Sequence, residues 1–185
     1  MNSARTGAEA LLGALRAHGG IVASLLDESS AYAQDDRPGP AQIAAAGPRA
    51  AAAPGEYELL LEMILEGHRL HYGEPHVVHT PDVDLALLLG DQLYALGLSR
   101  LAALGDLDAV AELADVISLA AQARTAADRE LADAVWEAGA TSVGWGSSAA
   151  HAQAKAGARA HDPGAAAALR EAACAVRIDP RDRSL

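Results

Sequence analysis

The chain contains no phenylalanine and only one cysteine, Cys174, in 185 residues. A single cysteine cannot close an internal disulfide bond, which fits a reducing compartment and predicts a cytoplasmic location. Lysine and arginine form no run, and the formal net charge is −11 at pH 7. A nucleic-acid-binding protein needs a basic patch, so this charge balance predicts no nucleic-acid partner.

Long apolar runs are missing as well. The longest candidate, residues 85–98, is interrupted by Asp91 and Gln92, whereas a membrane-spanning helix needs about 18 or more apolar residues. The first twenty residues contain no basic region followed by a clean apolar run. We therefore predict neither a signal peptide nor a membrane span.

Alanine and leucine dominate the chain, whereas clusters of β-branched and aromatic residues are scarce. Alanine and leucine are strong helix formers, so the composition predicts an all-α protein. The stretch 83–103 is apolar almost all round and is predicted to be a buried helix. Helices are also predicted over residues 8–18, 21–26, 56–70, 107–123, 125–138, 147–158 and 163–177.

Composition divides the chain into four predicted segments. Residues 1–27 form an N-terminal helical segment, and residues 56–178 form the main helical domain. Between them, residues 28–55 are rich in proline, glycine and alanine with few large apolar residues, which predicts a linker with at most one weak helix near Ala41. Residues 179–185 are predicted to be a frayed tail.

Glu62 and Glu66 lie four residues apart in the predicted helix 56–70. This spacing places both carboxylates on one helix face, where they are able to converge. Mg²⁺ binds one or two carboxylates and completes its shell with water and substrate phosphates. The same spacing is typical of a solvated acidic face, so the sequence supports both interpretations.

Four histidines follow these glutamates as two His-x-x-His pairs. Histidines near carboxylates are able to build a zinc or iron site. Their spacing matches no tight ligand template, because the di-iron bundle motif needs Glu-x-x-His and here Glu66 and His68 are two residues apart. The sequence leaves open the role of the four histidines, which are His68, His71, His76 and His79.

Two further patterns have competing interpretations. The segment 144–149 matches the dinucleotide-binding pattern G-x-G-x-x-A, but that pattern needs a preceding strand and a βαβ unit, and the flanks here are predicted to be helical. Asp91 lies inside an apolar run, where a carboxylate costs free energy unless it is paired or hydrated. It is either a polar position on a packed helix or a functional residue.

The order of these motifs resembles the trans-polyprenyl diphosphate synthases, all-α enzymes that condense isopentenyl diphosphate with an allylic diphosphate. Their first acidic motif, D-D-x-x-D, is followed by R-R-G-K-P-T and then by a helix with A-x-L-x-G-D-x-L. Gly73-Glu74-Pro75 falls on G-K-P, and Leu89-Gly90-Asp91-Gln92-Leu93 falls on x-G-D-x-L at the same interval without a gap. The resemblance covers residues 56–177 and is specific over residues 62–91. It implies a truncated helical bundle of the isoprenoid synthase type.

The departures from the family pattern fall on residues that would carry its chemistry. Under this register Glu62 and Glu66 replace the first and last aspartates of D-D-x-x-D, and the middle aspartate is absent. His71 and Tyr72 replace the Arg-Arg pair that would hold a diphosphate. Glu74 replaces the lysine of G-K-P, which reverses a charge beside a site for a polyanion.

The other family motifs are reduced in the same way. Ala140-Thr141 falls where the family has Lys-Thr. Of the second aspartate-rich motif, only Asp179 and Asp182 are present. The N-terminal G-K-x-x-R-P segment has only a weak counterpart, Gly47-Pro48-Arg49.

The family ionises an allylic diphosphate with Mg²⁺ ions held between two acidic motifs and with cationic side chains on the leaving group. Electrostatic stabilisation of this kind is often the largest catalytic term. The resemblance therefore implies a degenerate member with no assigned catalytic residue and with His71, Tyr72 and Asp91 as degenerate substrate-binding positions. Glu62 and Glu66 are interpreted as the remnant of a metal site, with weak Mg²⁺ binding as the alternative.

Members of the family associate as dimers. The resemblance implies a homodimer, or a heterodimer in which this chain is a non-catalytic subunit or regulator of an active prenyl diphosphate synthase. One alternative is a weakly active prenyltransferase. Another is a helical bundle that binds a metal through the four histidines, or an apolar ligand in a cavity lined by Leu87, Leu88, Tyr94 and the helix at Ile117.

Overall fold

The computed structural model describes residues 3–26, 38–72 and 74–178. Within these ranges the regular secondary structure is helical, apart from one isolated β-bridge between Leu26 and Val78, so the all-α prediction is confirmed. Most of the first half of the predicted linker, Gly73, and the tail with Asp179 and Asp182 lie outside the described residues. The helices are α1 (Ser3–His18), α2 (Gly20–Ser24), α3 (Pro40–Ala45), α4 (Pro54–Tyr72), α5 (Val83–Ala103), α6 (Leu107–Thr125), α7 (Arg129–Trp145), α8 (Ala149–Arg159) and α9 (Ala165–Arg177), with a 3-10 turn at Pro48–Ala50.

The chain forms two compact units. The first unit comprises Met1–Gln42 and Gly55–Asp106, and the second comprises Ile43–Pro54 and Leu107–Leu185. Part of the predicted linker thus belongs to the second unit, and α3 lies where the sequence predicted at most one weak helix. Among the described residues, every helix is either too short or too polar to span a membrane.

The core of the first unit joins α1, α4 and α5. Leucines of α1 pack with α4, with α5 and with two valines of the loop after α4. The backbones of α4 and α5 approach closely, because a Cβ atom on Gly67 would lie 2.8 Å from the carbonyl oxygen of Gly90. Glycine is therefore needed where these helices cross. The fully buried members of this core include Leu11, Leu15, Val77, Val78 and Leu93.

Helix α5 is buried on one face only. Leu89, Leu93 and Leu101 lie inside, whereas 72% of Val83 and 66% of Leu88 are exposed. The prediction of a helix buried all round is therefore wrong. Apolar residues occupy both faces of α5, so its hydropathy does not show which face packs against α1 and α4.

The second unit is built around α7, which packs against α6 and α9, while α8 packs against α9. The sequence predicted that a helix would end near Ala138 and that Gly139 and Gly144 would interrupt the chain. Instead α7 continues to Trp145. Both glycines lie inside α7 at close contacts, since a Cβ atom on Gly139 would lie 2.1 Å from Cγ2 of Val116.

The start of α7 also differs from its predicted position. The prediction began the helix at Thr125, but Ala127 adopts a left-handed conformation with φ of 59°. Asp128 then caps the new helix, and its carboxylate accepts a hydrogen bond from the backbone N–H of Leu131 at 2.9 Å. A backbone reversal followed by a carboxylate cap therefore separates α6 from α7.

Candidate functional site

Glu66 of α4 is the most deeply buried carboxylate among the predicted site residues, with 0% exposure. Its Oε1 atom accepts hydrogen bonds from the backbone N–H groups of His76, Val77 and Val78 at 2.9, 2.7 and 3.0 Å. Its Oε2 atom accepts a further bond from His76 N–H at 3.1 Å and lies 3.5 Å from Nη1 of Arg69. The carboxylate thus holds three successive backbone amides of the loop between α4 and α5.

Glu62 lies one turn before Glu66 and is 8% exposed. Its Oε1 atom accepts a hydrogen bond from Nε2 of Gln42 at 3.3 Å, and its Oε2 atom lies 3.7 Å from Nη1 of Arg69. Helix α1 passes close to the Glu62 side chain at Gly7. A Cβ atom added to Gly7 would lie only 3.2 Å from Cγ of Glu62. Burial raises the pKa of Glu62, although Arg69 and Gln42 favour its charged form.

The two glutamates therefore have partners within the first unit. Arg69 lies beside both carboxylates, and the N–H groups of the loop occupy both oxygens of Glu66. In the described residues, no three side chains of histidine, cysteine, aspartate or glutamate are grouped so that they could hold a metal ion. Weak Mg²⁺ binding by Glu62 and Glu66 stays a prediction, and it would compete with these internal contacts.

Two of the three predicted substrate-binding positions lie together. Nε2 of His71 on α4 is 3.1 Å from Oδ1 of Asp91 on α5, and the His71 ring stacks on Tyr94 with centroids 5.3 Å apart. Tyr72 is the next residue of α4, and its ring lies 4.7 Å from that of His68. Asp91 is thus both paired with a histidine and 72% exposed at its side chain, which accounts for a carboxylate within an apolar run.

The four histidines do not share one site. His68 is buried on α4, whereas His76 and His79 are exposed in the loop that follows. Two sets of hydrogen bonds hold the backbone of this loop. The N–H groups of residues 76–78 donate to the carboxylate of Glu66. The N–H group of His79 donates to the carbonyl oxygen of Leu25 at 2.9 Å. The loop therefore joins α4 to the end of the α1–α2 segment.

Three other positions that the sequence singled out lie in the second unit, where they make structural contacts. Thr141 and Arg49 come from the resemblance, and Gly144 comes from the G-x-G-x-x-A pattern. Thr141 is buried, and its hydroxyl donates to the carbonyl oxygen of Glu137 at 2.9 Å. Nη1 of Arg49 donates to the carbonyl oxygen of Val143 at 2.9 Å. Gly144 ends the buried part of a helix rather than following a strand, so the local structure that a dinucleotide-binding motif requires is not present at this position.

The sequence interpretation missed a buried ionic network between α6 and α8. Nε2 of His151 lies 2.7 Å from Oε1 of Glu112, and Nζ of Lys155 donates to Glu112 at 2.7 Å and to Asp115 at 2.9 Å. Glu112 and His151 are 8% and 4% exposed. The pattern Glu-x-x-Asp on α6, together with His-x-x-x-Lys-x-x-x-Arg on α8, is the signal that could have revealed it.

A cavity of about 380 Å³ opens beside this network. Its volume is that of a small-molecule site, but such sites are mostly apolar, and the charged groups Glu112, Asp115 and Lys155 are here bonded to one another. We assign the network a structural role. The cavity is lined by Arg49, Asp108, Ala111, Glu112, Asp115, Ser142, Gly146, Ser147 and Lys155.

The network predicts a pH-dependent stability of the second unit. Burial alone would raise the pKa of Glu112, but hydrogen bonds from His151 and Lys155 outweigh burial and lower this pKa below the ordinary 4.5. A carboxylate whose pKa is lower in the folded state than in the unfolded state stabilises the fold at pH values above its unfolded-state pKa. This stabilisation is lost as the pH falls through the folded-state pKa. At pH 7 we expect Glu112→Gln to cost about 2 kcal/mol, and we expect this cost to shrink steadily below pH 4.5.

Urea unfolding followed by tryptophan fluorescence measures this difference, because both tryptophans of the chain, Trp136 and Trp145, lie in α7. Glu130→Gln is the control, since its carboxylate is 72% exposed and pairs only at the surface with Arg170. A cost of Glu112→Gln that stays constant from pH 7 to pH 3 would contradict the assignment.

Comparisons of the chain with known protein families, with curated proteins and with solved structures find no match. The resemblance to polyprenyl synthases therefore stays a prediction from the motifs over residues 62–91.

Proposed function

We propose that the chain is a non-catalytic, polyprenyl-synthase-like protein that acts as a subunit or regulator of an active prenyl diphosphate synthase. The order and interval of the motifs support this proposal, as does a helical fold in which α4 and α5 carry these motifs. The bundle is proposed to be of the isoprenoid synthase type. In this proposal the scaffold is kept for association, and the metal and diphosphate sites have been lost.

The bonding of Glu66 is the observation that carries the proposal. A carboxylate that holds catalytic Mg²⁺ must direct oxygen atoms toward the ion, whereas both oxygens of Glu66 accept backbone N–H groups. Binding Mg²⁺ there would leave buried N–H donors unpaired, at a cost of about 1–3 kcal/mol for each donor. The acidic pair thus supports the fold rather than a metal.

The degenerate diphosphate position supports the same view. His71 replaces an arginine of the family pattern, and its Nε2 atom lies beside Asp91. A carboxylate at this distance attracts whatever positive charge the imidazole carries and repels an incoming polyanion. This position is therefore poorly suited to hold a diphosphate.

A chain-elongation assay tests the proposal. Isopentenyl diphosphate, an allylic primer and Mg²⁺ are incubated with the purified chain, with an active prenyl diphosphate synthase from the same source, or with both proteins. We expect no product from the chain alone. We expect the mixture to differ from the synthase alone in product length or rate, because the added chain forms part of the active assembly.

An unrelated acidic helical protein at equal concentration is the control for nonspecific effects. Two outcomes would contradict the proposal: a mixture that behaves like the synthase alone while the two proteins elute separately in size-exclusion chromatography, or product formed by the chain alone. The second outcome would instead support the weakly active prenyltransferase.

A further inference from the structure

The N-terminal half of α5 presents an apolar surface on the face away from the core of the first unit. Val83, Leu87 and Leu88 are exposed by 72%, 38% and 66%. A single exposed leucine is ordinary on a protein surface, but three large apolar residues within six positions of one helix form an apolar patch, even though acidic residues interrupt it. Such patches mark interaction surfaces when polar residues border them.

Acidic residues run through this patch. Asp84 and Asp91 are exposed and lie seven residues apart, which is two turns and about 10 Å along the helix. At 3.6 residues per turn they fall between Val83 and Leu87 on one side and Leu88 on the other. The surface therefore alternates between apolar residues and negative charge.

Helix α5 itself contributes no lysine or arginine to this face. The only lysine or arginine of α5 is Arg100, and its guanidinium donates to both oxygens of Glu56 at 2.6 and 2.9 Å. Asp91 lies beside His71 at 3.1 Å, yet 72% of its side chain stays exposed. Asp84 and Asp91 thus direct negative charge toward solvent beside the three apolar residues.

The negative charge of this patch limits which binding partners are able to cover it. A second copy of the chain would bring Asp84 and Asp91 of each copy close together, and each copy has a formal net charge of −11, so like charges oppose self-association there. An anionic membrane is repelled for the same reason. A helix of another protein that carries basic residues among apolar ones complements both features.

We propose that this face of α5 binds an amphipathic helix of another protein, in which apolar residues flank two lysines or arginines spaced two turns apart. The apolar residues would cover Val83, Leu87 and Leu88, and the two cations would pair with Asp84 and Asp91. Recognition of this type places one helix along the exposed apolar stripe of another. The inference does not depend on the proposed function, because it rests on the surface of α5 alone.

Site-specific photocrosslinking in the full-length chain tests this inference. A benzophenone amino acid replaces Leu88 in cells of the source organism, and crosslinked peptides are sequenced by mass spectrometry. Ser99 is the matched control position, since it is exposed on the same side of α5 three turns further along. We expect position 88, and not position 99, to crosslink to a segment of another protein with two basic residues seven positions apart among apolar ones.

The charge dependence of the crosslink is the second readout. We expect Asp84→Lys to lower its yield about tenfold or more, because it places a cation against a basic partner. Asp84→Asn removes the charge without adding a cation at the helix N-terminus, and it should lower the yield less. Circular dichroism of each variant checks that the helices are retained.

Four outcomes would overturn the inference. These are a crosslink to a second copy of the chain, a crosslink to lipid, equal yields at positions 88 and 99, and a yield that Asp84→Lys leaves unchanged in a folded protein. None of these outcomes bears on prenyl diphosphate chemistry, so the surface and the proposed function fail separately.

Discussion

Glu66→Ala is expected to destabilise the first unit by about 4 kcal/mol, because removing one partner of a buried ion pair leaves the other partner uncompensated. The substitution removes the acceptor of three successive N–H groups, those of His76, Val77 and Val78. It also leaves Arg69 without one of its two carboxylates. The loop that contacts Leu25 and packs Val77 and Val78 into the core should then open.

Hydrogen exchange measured by mass spectrometry on peptides from residues 55–106 follows this unit separately, since the tryptophans report on the second unit alone. Glu58→Ala is the matched control on the same helix. Its carboxylate is partly exposed and accepts one bond, from Gln42 at 3.0 Å, so we expect a cost below about 1 kcal/mol. Equal effects of the two substitutions would show that Glu66 is not the organising acceptor.

Gly144→Ala is expected to destabilise the second unit by about 3 kcal/mol, the upper range for overpacking a core. A Cβ atom on Gly144 would lie 2.2 Å from the carbonyl oxygen of Ala44, and one on Gly47 would lie 2.1 Å from the carbonyl oxygen of Gly144. These neighbours are backbone atoms, which cannot rotate away as a flexible side chain can. Segment 43–54 would have to separate from α7.

Tryptophan fluorescence during urea unfolding measures this loss. Gly157→Ala is the control inside α8, where an added Cβ atom would lie 3.7 Å from Cβ of Asp162, an ordinary contact. Because alanine favours the helix over glycine, we expect this control to gain about 0.5–1 kcal/mol. A Gly144→Ala protein as stable as wild type would mean that the close approach of segment 43–54 to α7 is wrong.

Composition was sufficient to predict the helical class, because alanine and leucine, which dominate the chain, have high intrinsic helix propensities. The end of α4 and the start of α5 were also predictable, since Pro75 and the Asp82 cap are local signals. The packed face of α5 was not predictable, because leucines lie on all its sides. Gly139 and Gly144 were misjudged because a helix tolerates glycine where another backbone or side chain comes close.

The environment of the site residues depends on contacts that are distant in sequence. Glu62 and Glu66 were found by their helical spacing, but their donors come from Gln42 and from the loop at residues 76–78. No periodicity in α4 reveals that this loop folds back over Glu66. The pairing of His71 with Asp91 likewise needs the crossing of α4 and α5 at Gly67 and Gly90.

Under the proposed function, the acidic pair of α4 supports the fold and does not catalyse. Incorporation of isopentenyl diphosphate by the chain alone, compared between wild type and Glu62→Gln, tests it most directly. Glutamine has nearly the size of glutamate, and its side-chain oxygen is able to accept the hydrogen bond from Gln42, so this substitution is expected to preserve the fold. We expect no Mg²⁺-dependent product from either protein. Product from the wild type that is lost in Glu62→Gln would contradict it and identify a working metal site.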